Sequence, residues 1–191
     1  VYTDGAVSPN GHGGWAAIMF VDGAAIDGRY GGAKSATNNT MELQGIIEGM
    51  KLLPLVEMRR CANCGVVPSN HFDSQPIYAC LDNGPIMRPV YPEAVIVSDS
   101  KYCVNGASQW VHGWQANGWK TASKQPVKNR ELWEEVIALT KKTGARFEWV
   151  KGHGTDPCNI LADQWAVEGK MGMYKSPATI SYDKAIPKIG D

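Results

Sequence analysis

The 191-residue chain is 43% hydrophobic and carries seven Trp, enough for one domain with a sizeable core. Its 19 Lys and Arg balance its 19 Asp and Glu, so net charge gives no sign of a nucleic-acid partner and any basic surface must be local. No apolar run is long enough to span a membrane, the opening residues do not read as a secretion signal, and an odd count of five Cys argues against a disulfide scaffold.

Residues 1–6 read as a short strand that ends at Asp4, entered without a Met. Gly11, Gly13 and Gly14 make a turn, and residues 15–21 form a second apolar strand. Asp22-Gly23 is a hairpin signal, so residues 24–30 return antiparallel. The polar cluster Thr37-Asn38-Asn39-Thr40 precedes a helix in which Leu43, Ile46, Ile47, Met50 and Leu53 form one buried stripe, closed by Pro54. Glu42 lies in its first turn, where a capping box with Asn39 as N-cap is a credible local account of it.

Residues 57–93 are rich in Pro, Asn, Gly and Cys, lack periodicity, and read as an insertion. Val95, Ile96 and Val97 then make a buried strand that stops abruptly at Ser98-Asp99-Ser100. A carboxylate at the carboxyl end of such a strand stands where open α/β sheets bind ligands. Capping of the helix that begins near Ser100 is the alternative for Asp99. Residues 101–112 are predicted helical, with Tyr102, Val104 and Trp110 among the apolar positions.

The next stretch mixes Trp114 and Trp119 with Lys120, Lys124 and Lys128. Leu132, Trp133, Val136, Ile137 and Leu139 mark another amphipathic helix ending near Gly144. Ala145, Phe147 and Trp149 alternate with Arg146 and Glu148 as in a strand, and residues 151–157 form a loop. A last helix, from about Asn159 to Lys170, points Ile160, Leu161, Trp165 and Ala166 inward and carries Asp163 in its first turns. From Tyr174 onward no period is sustained, and a tail lying on the surface or mobile is expected. The order is a meander followed by alternating units, which points to a mixed sheet with helices on its faces.

Asp4 and Asp99 end strands that would share one sheet edge as parallel neighbours, with Glu42 and Asp163 near helix starts in reach of that edge. Four converging acids repel one another unless cations join them, and an all-oxygen set favours hard ions such as Mg²⁺ or Mn²⁺. Two such ions about 4 Å apart clamp a phosphodiester. In the insertion, Cys61 and Cys64 form a C-x-x-C knuckle that, with His71 and Cys80, makes a Cys₃His set suited to structural Zn²⁺. Reduced thiols or a disulfide are the alternatives there, and Asp73 or Asp82 are competing ligands. Cys103 and Cys158 read as ordinary buried or half-buried thiols.

Several segments carry a family resemblance in order: Tyr2-Thr3-Asp4-Gly5, Thr37-Asn38-Asn39-Thr40-Met41-Glu42-Leu43, Ser98-Asp99-Ser100, Gln109-Trp110-Val111-His112 through Gly118-Trp119-Lys120-Thr121, Pro126-Val127-Lys128-Asn129, Trp149-Val150-Lys151-Gly152-His153, and Asn159 with Asp163. On these the chain closely resembles type 1 ribonuclease H over about residues 1–170, apart from the insertion. The resemblance implies an α/β fold with a five-stranded mixed sheet, its first three strands antiparallel, in a domain at 1–173 interrupted by 57–93 and followed by a tail at 174–191. It implies hydrolysis of the RNA strand of RNA–DNA hybrids, leaving 5′-phosphate and 3′-hydroxyl ends, with two Mg²⁺ ions held by Asp4, Glu42, Asp99 and Asp163. Glu42 would also contact the RNA 2′-hydroxyl or the attacking water.

His153 matches a mobile-loop histidine that assists proton transfer or product release, an idle loop histidine being the alternative. Asn159 matches a position that contacts substrate and water, although a helix N-cap accounts for it equally well. Asn10, Asn38 and Gln44 resemble minor-groove contacts, and Thr37 resembles a DNA-phosphate contact. Residues 110–128 match a basic protrusion that grips DNA, with Trp114, Trp119, Lys120 and Lys124 as its contacts and core packing as the alternative for the Trp side chains, Trp110 above all. Residues 113–118 lack Lys and Arg, so the expected hybrid affinity is weaker and more salt-sensitive than a strongly basic relative's.

The resemblance further implies a cytoplasmic monomer with no membrane partner, and it leaves the insertion free to touch nucleic acid or a protein. Two other readings share most of these residues: a hybrid-binding module without catalysis, and a domain of a larger polymerase. A kinase-like reading lacks a Gly-rich phosphate loop.

Overall fold

The computed structural model describes residues 1–21, 23–53, 94–172 and 178–179. The meander forms as predicted: β1 (Tyr2–Val7), β2 (Gly13–Val21) and β3 (Ala24–Ala33) pair antiparallel. After α1 (Asn38–Leu52) come β4 (Val95–Ser98) and the helical run α2 (Lys101–Asn105), a π-helical turn (Gly106–Trp110) and α3 (Val111–Ala116). Then follow α4 (Arg130–Thr143), β5 (Arg146–Trp149), α5 (Pro157–Met171) and the two-residue β6 (Ala178–Thr179).

The strand order is β5-β4-β1-β2-β3-β6. The β1–β4 and β4–β5 pairs are parallel and the rest antiparallel, so the expected five-stranded mixed sheet is present, extended by β6 pairing along Arg29 and Tyr30. That pairing is the described part of the sequence's C-terminal tail; the rest of it, Pro54 and the insertion at 57–93 fall outside the described residues.

Two of the boundaries that differ from the sequence reading bear on the site, each for a traceable reason. First, β1 does not end at Asp4. Its ladder with β2 continues to Val7, whereas its ladder with β4 stops at the Thr3–Ser98 pair because β4 is only four residues long. Asp4 is therefore mid-strand on one side and at an open edge on the other. Second, α1 begins at Asn38, with Thr37 as its N-cap. The Thr37 hydroxyl accepts from the Thr40 amide, and the Thr40 hydroxyl accepts from the Thr37 amide. The capping box thus closes without Asn39 or Glu42.

The main core lies between the sheet and α1, α2 and α4, where Leu43, Ile46, Ile47, Met50, Ile96, Trp133 and Val136 are fully or almost fully buried. Trp133 enters it over Gly106, where a Cβ would overlap the indole, and the helical run takes its π-type turn there. On the opposite face α5 covers β1, β2 and β3, with backbone close to backbone at two glycines and the Trp165 ring packed on Gly28 and Tyr30. A Cβ on Gly14 would strike the Ala166 carbonyl and the Lys170 amide, and one on Gly169 would strike the Gly31 carbonyl. The buried face of α5 is accordingly Asn159, Ala162, Ala166 and Gly169. Ile160, expected to point inward, is 40% exposed: it lies outside the buried stripe of Asn159, Ala162, Ala166 and Gly169.

The fold makes a direct stability prediction. Gly14→Ala, which forces backbone against backbone, is expected to cost at least about 2 kcal/mol. That is a Tm loss of roughly 4–8 °C for a chain of this size. Gly113→Ala, on α3 with open space around its would-be Cβ, is expected to be neutral or stabilising by up to about 1 kcal/mol. Thermal melts of both variants check the contrast.

Candidate active site at the carboxyl edge of the sheet

Four elements deliver one carboxylate each. Thr3 and Gly5 face α1, so Asp4 between them faces α5, where the Asp163 carboxyl hydrogen-bonds to it. Glu42 arrives from α1, which lies almost in backbone contact with β1: a Cβ on Gly5 would overlap the Glu42 amide, and Gly45 and Gly49 keep the rest of the helix close. Asp99 follows the last residue of β4, one step before the Ser100 hydroxyl caps α2 by accepting from the Cys103 amide. The cap is Ser100, which frees Asp99. Carboxylate oxygens of Asp4, Glu42 and Asp99 all lie within 4.8 Å of one another.

Burial and mutual repulsion dominate the electrostatics. Asp4 is 5% exposed, and desolvation followed by the Asp99 charge pushes its pKa from 3.8 up to about 8. Burial, then the charges of Asp4 and Asp99, raises Glu42 well above the carboxylate range. Desolvation raises Asp99 as well, opposed by a hydrogen bond from Asn159 and by the nearby His153. One Glu42 oxygen, Oε2, is buried without a hydrogen-bond partner, as is Oδ1 of Asn159. A buried carboxylate oxygen left without a donor, within 4.8 Å of two more carboxylates, fits a hard divalent cation: the donor set is all oxygen and its charge needs compensation.

The remaining predicted residues divide by place. Asn159 is buried beside Asp99; the cap of α5 is Asp156, whose carboxylate accepts from the Cys158 and Asn159 amides, so Asn159 is not spent as a cap. His153 is exposed in the loop after β5 at φ +50°, and Gly152 packs so closely on Asp99 that a Cβ would overlap its carboxylate. Asn10 is exposed in a tight turn, bonded to His12, and the Gly11 carbonyl of that turn accepts from Ala36. That places Asn10 beside the exposed Thr37 and Asn38 at the start of α1. Gln44 stands apart: two residues beyond Glu42 it lies on the far side of α1, its amide donating to Glu48.

In the protrusion Lys120 and Lys124 are exposed, while Trp114 and Trp119 are half-buried. Trp114 packs edge-on against Trp133, and Trp119 stacks on Arg130. Trp110, expected in the core, is 39% exposed and lies over Tyr102 and Trp114; the buried tryptophan of this cluster is Trp133. Cys61, Cys64, His71 and Cys80, the proposed zinc set, lie outside the described residues. Cys103 is buried, with its thiol pushed up to about 12 by desolvation, and is inert at neutral pH.

Two residues beside the site carried no functional expectation from the sequence. Asn39 lines a groove of about 260 Å³ with Tyr102, Trp114, Val127 and Lys128. Its signal was hidden because the Asn pair reads as a helix cap. Ser98 hydrogen-bonds Glu42. A lone polar residue closing an apolar strand was its only trace.

The sequence model of the RNase H family matches residues 79–171. A Ribonuclease HI of Neisseria meningitidis serogroup B is 39% identical over 170 residues, covering 88% of this chain and 92% of that protein. The chain belongs to the ribonuclease HI family. A Ribonuclease H of Treponema denticola is 38% identical over 88% of this chain and 94% of that protein. Among solved structures, the crystal structure of LC9-RNase H1, described as a type 1 RNase H with the type 2 active-site motif, shares the fold at TM-score 0.61 and 22% identity, covering 95% of this chain and 77% of that one. A foamy viral protease-reverse transcriptase in complex with RNA/DNA hybrid shares it at TM-score 0.60 and 18% identity, covering 88% of this chain and 19% of that one. As a member of this family the chain is a nuclease, and its candidate metal-binding group is the cluster of Asp4, Glu42 and Asp99. Among the described residues no helix is long and apolar enough to cross a membrane.

The raised carboxyls fix the pH dependence of the metal-free protein. Asp4 holds its proton more tightly folded than unfolded, so between about 4 and about 8 the folded state binds more protons and stability falls as pH rises. Asp4→Asn is expected to flatten that slope and raise the metal-free Tm at pH 8. Adding Mg²⁺ to the unsubstituted protein is expected to raise Tm more at pH 8 than at pH 5. Melts across pH with and without the ion measure both.

Proposed function

We propose that the chain is an endoribonuclease that hydrolyses the RNA strand of RNA–DNA hybrids, leaving 5′-phosphate and 3′-hydroxyl ends. The observation that carries the reading is the meeting of carboxylates from β1, α1 and the end of β4 within 4.8 Å, with Asp163 of α5 hydrogen-bonded to Asp4. Asp4, Glu42, Asp99 and Asp163 would hold two divalent cations, Mg²⁺ or in its place Mn²⁺. When bound, such ions supply Lewis acidity on both sides of the scissile phosphate.

The chain's own residues do the rest. Burial of Asp4 and Glu42 keeps bulk water from competing for the scissile phosphate's place. Asn159 holds the Asp99 carboxylate in orientation through its side chain. His153, exposed and beside Asp99, would move a proton to or from the reacting oxygen, in a loop held at Gly152 and free to shift beyond it. Glu42 reaches toward the RNA 2′-hydroxyl, the group that distinguishes RNA from DNA.

Hybrid binding is assigned to two patches flanking the acids. Asn10, Thr37 and Asn38 cluster at the start of α1, and Trp114, Trp119, Lys120 and Lys124 form the protrusion. The solved relative in complex with RNA/DNA hybrid supports this partner. Weak binding from so few cations in the protrusion falls away as salt rises above a modest level, although fewer neutralised phosphates make the log–log slope shallower, not steeper. The nuclease domain at 1–173, with a zinc-stapled insertion at 57–93 on Cys61, Cys64, His71 and Cys80, completes the proposal.

The test is a labelled hybrid incubated with Mg²⁺, Mn²⁺ or chelator, alongside Asp99→Asn. Cutting confined to the RNA strand, abolished by chelator, and reduced in the variant by more than the roughly 100-fold that loss of a supporting group costs supports the reading. An intact hybrid in every lane removes it. Lys120→Ala should lower the log–log salt slope of hybrid affinity by about 1, measured by titration at several salt concentrations.

A further inference from the structure

The β4–β5 ladder ends at the Ser98–Trp149 pair, and the Val150 amide bonding to the Ser98 carbonyl is its last rung. Asp99 comes one residue later. Its carbonyl belongs neither to the ladder nor to α2, which is capped at Ser100. The indole N–H of Trp149 donates to that carbonyl at 2.9 Å, so a side chain from the neighbouring strand supplies the rung the backbone no longer makes. The ring is 45% exposed, and burial does not account for a Trp at this place. Its face carries the Lys101 Nζ at 4.6 Å from the centroid.

The segment that begins with Trp149 also supplies Gly152, whose backbone lies against the Asp99 carboxylate. Asp99 therefore meets the chain leaving β5 twice: its main-chain carbonyl is bonded by Trp149, and its carboxylate is packed against Gly152. Between the two contacts lie only Val150 and Lys151.

We infer that Trp149 is a positioning residue for Asp99, fixing its peptide by the indole–carbonyl bond so that its carboxylate meets those of Asp4 and Glu42, and anchoring the root of the His153 loop to the same peptide. The inference rests on the two-ion reading of the site. It predicts that removing the N–H while keeping the aromatic ring weakens cation binding without unfolding the protein.

The experiment titrates metal-free protein with Mn²⁺ alone, followed by its paramagnetic resonance, and compares the unsubstituted chain with Trp149→Phe. A rise in the Mn²⁺ dissociation constant of roughly tenfold, with a kcat loss of similar size and an unchanged KM for hybrid, is expected. Unchanged Mn²⁺ affinity, with only Tm or only KM altered, overturns the assignment and makes the ring a packing or hybrid-contact group. A second measurement needs no variant: the Trp149 indole proton, on a ring nearly half exposed, should exchange slowly with solvent, and exchange at the rate of a free indole overturns the bond. Failure of the unsubstituted protein to bind Mn²⁺ or cut hybrid would instead overturn the two-ion reading, and this assignment with it.

Discussion

Carboxylates that repel one another, held together by backbone packing that leaves them no room to separate, are what the rest of this structure depends on. Asp4, Glu42 and Asp99 sit within 4.8 Å, two of them buried, with Asp163 beside Asp4. Left ionised and unpaired they would push apart or unfold the edge of the sheet. They stay because the elements that carry them are fixed elsewhere. Glycine-mediated contact at Gly5, Gly45 and Gly49 locks α1 to β1, and contact at Gly14 and Gly169 locks α5 to β2 and β3. The cost appears as proton affinity, with Asp4 shifted to about 8. Such a site is suited to exchanging protons for cations.

The short fourth strand is the second half of the design. Because β4 stops at Ser98, the edge of β1 is open where Asp4 emerges, and side chains from both faces of the sheet converge there. A longer β4 would have covered Asp4 with a ladder and separated Glu42 on one face from Asp163 on the other. Trp149 and Gly152, arriving from β5, close the far side of the same gap.

Much of this was legible in the sequence, and the misses share a cause. The unbroken apolar run before Asp99 and the periodic helical stripe from Leu43 to Met50 are signals written by burial, and both elements stand where expected. The acidic residues were legible as a set because they fall at element ends and because the flanking motifs resemble one family. What failed to show was anything decided by the partner surface. Ile160 looked like core but faces solvent, since the stripe of α5 that meets the sheet runs through Asn159, Ala162, Ala166 and Gly169 instead. Trp110 looked buried and is 39% exposed. The cap of α1 was placed two residues late because any of Thr37, Asn38 and Asn39 can cap, and only the fold chooses among them.

The most direct measurement of the central claim is the number of protons released when Mg²⁺ binds. Calorimetric titration of the metal-free protein at pH 7 in two buffers of different ionisation enthalpy gives that number. With Asp4 titrating at about 8, binding should expel at least about one proton per chain, the release shrinking as the pH passes that value. Binding with no proton release at pH 7 would mean that the carboxylates are already ionised and separated, and the account of the site given by their convergence would be wrong.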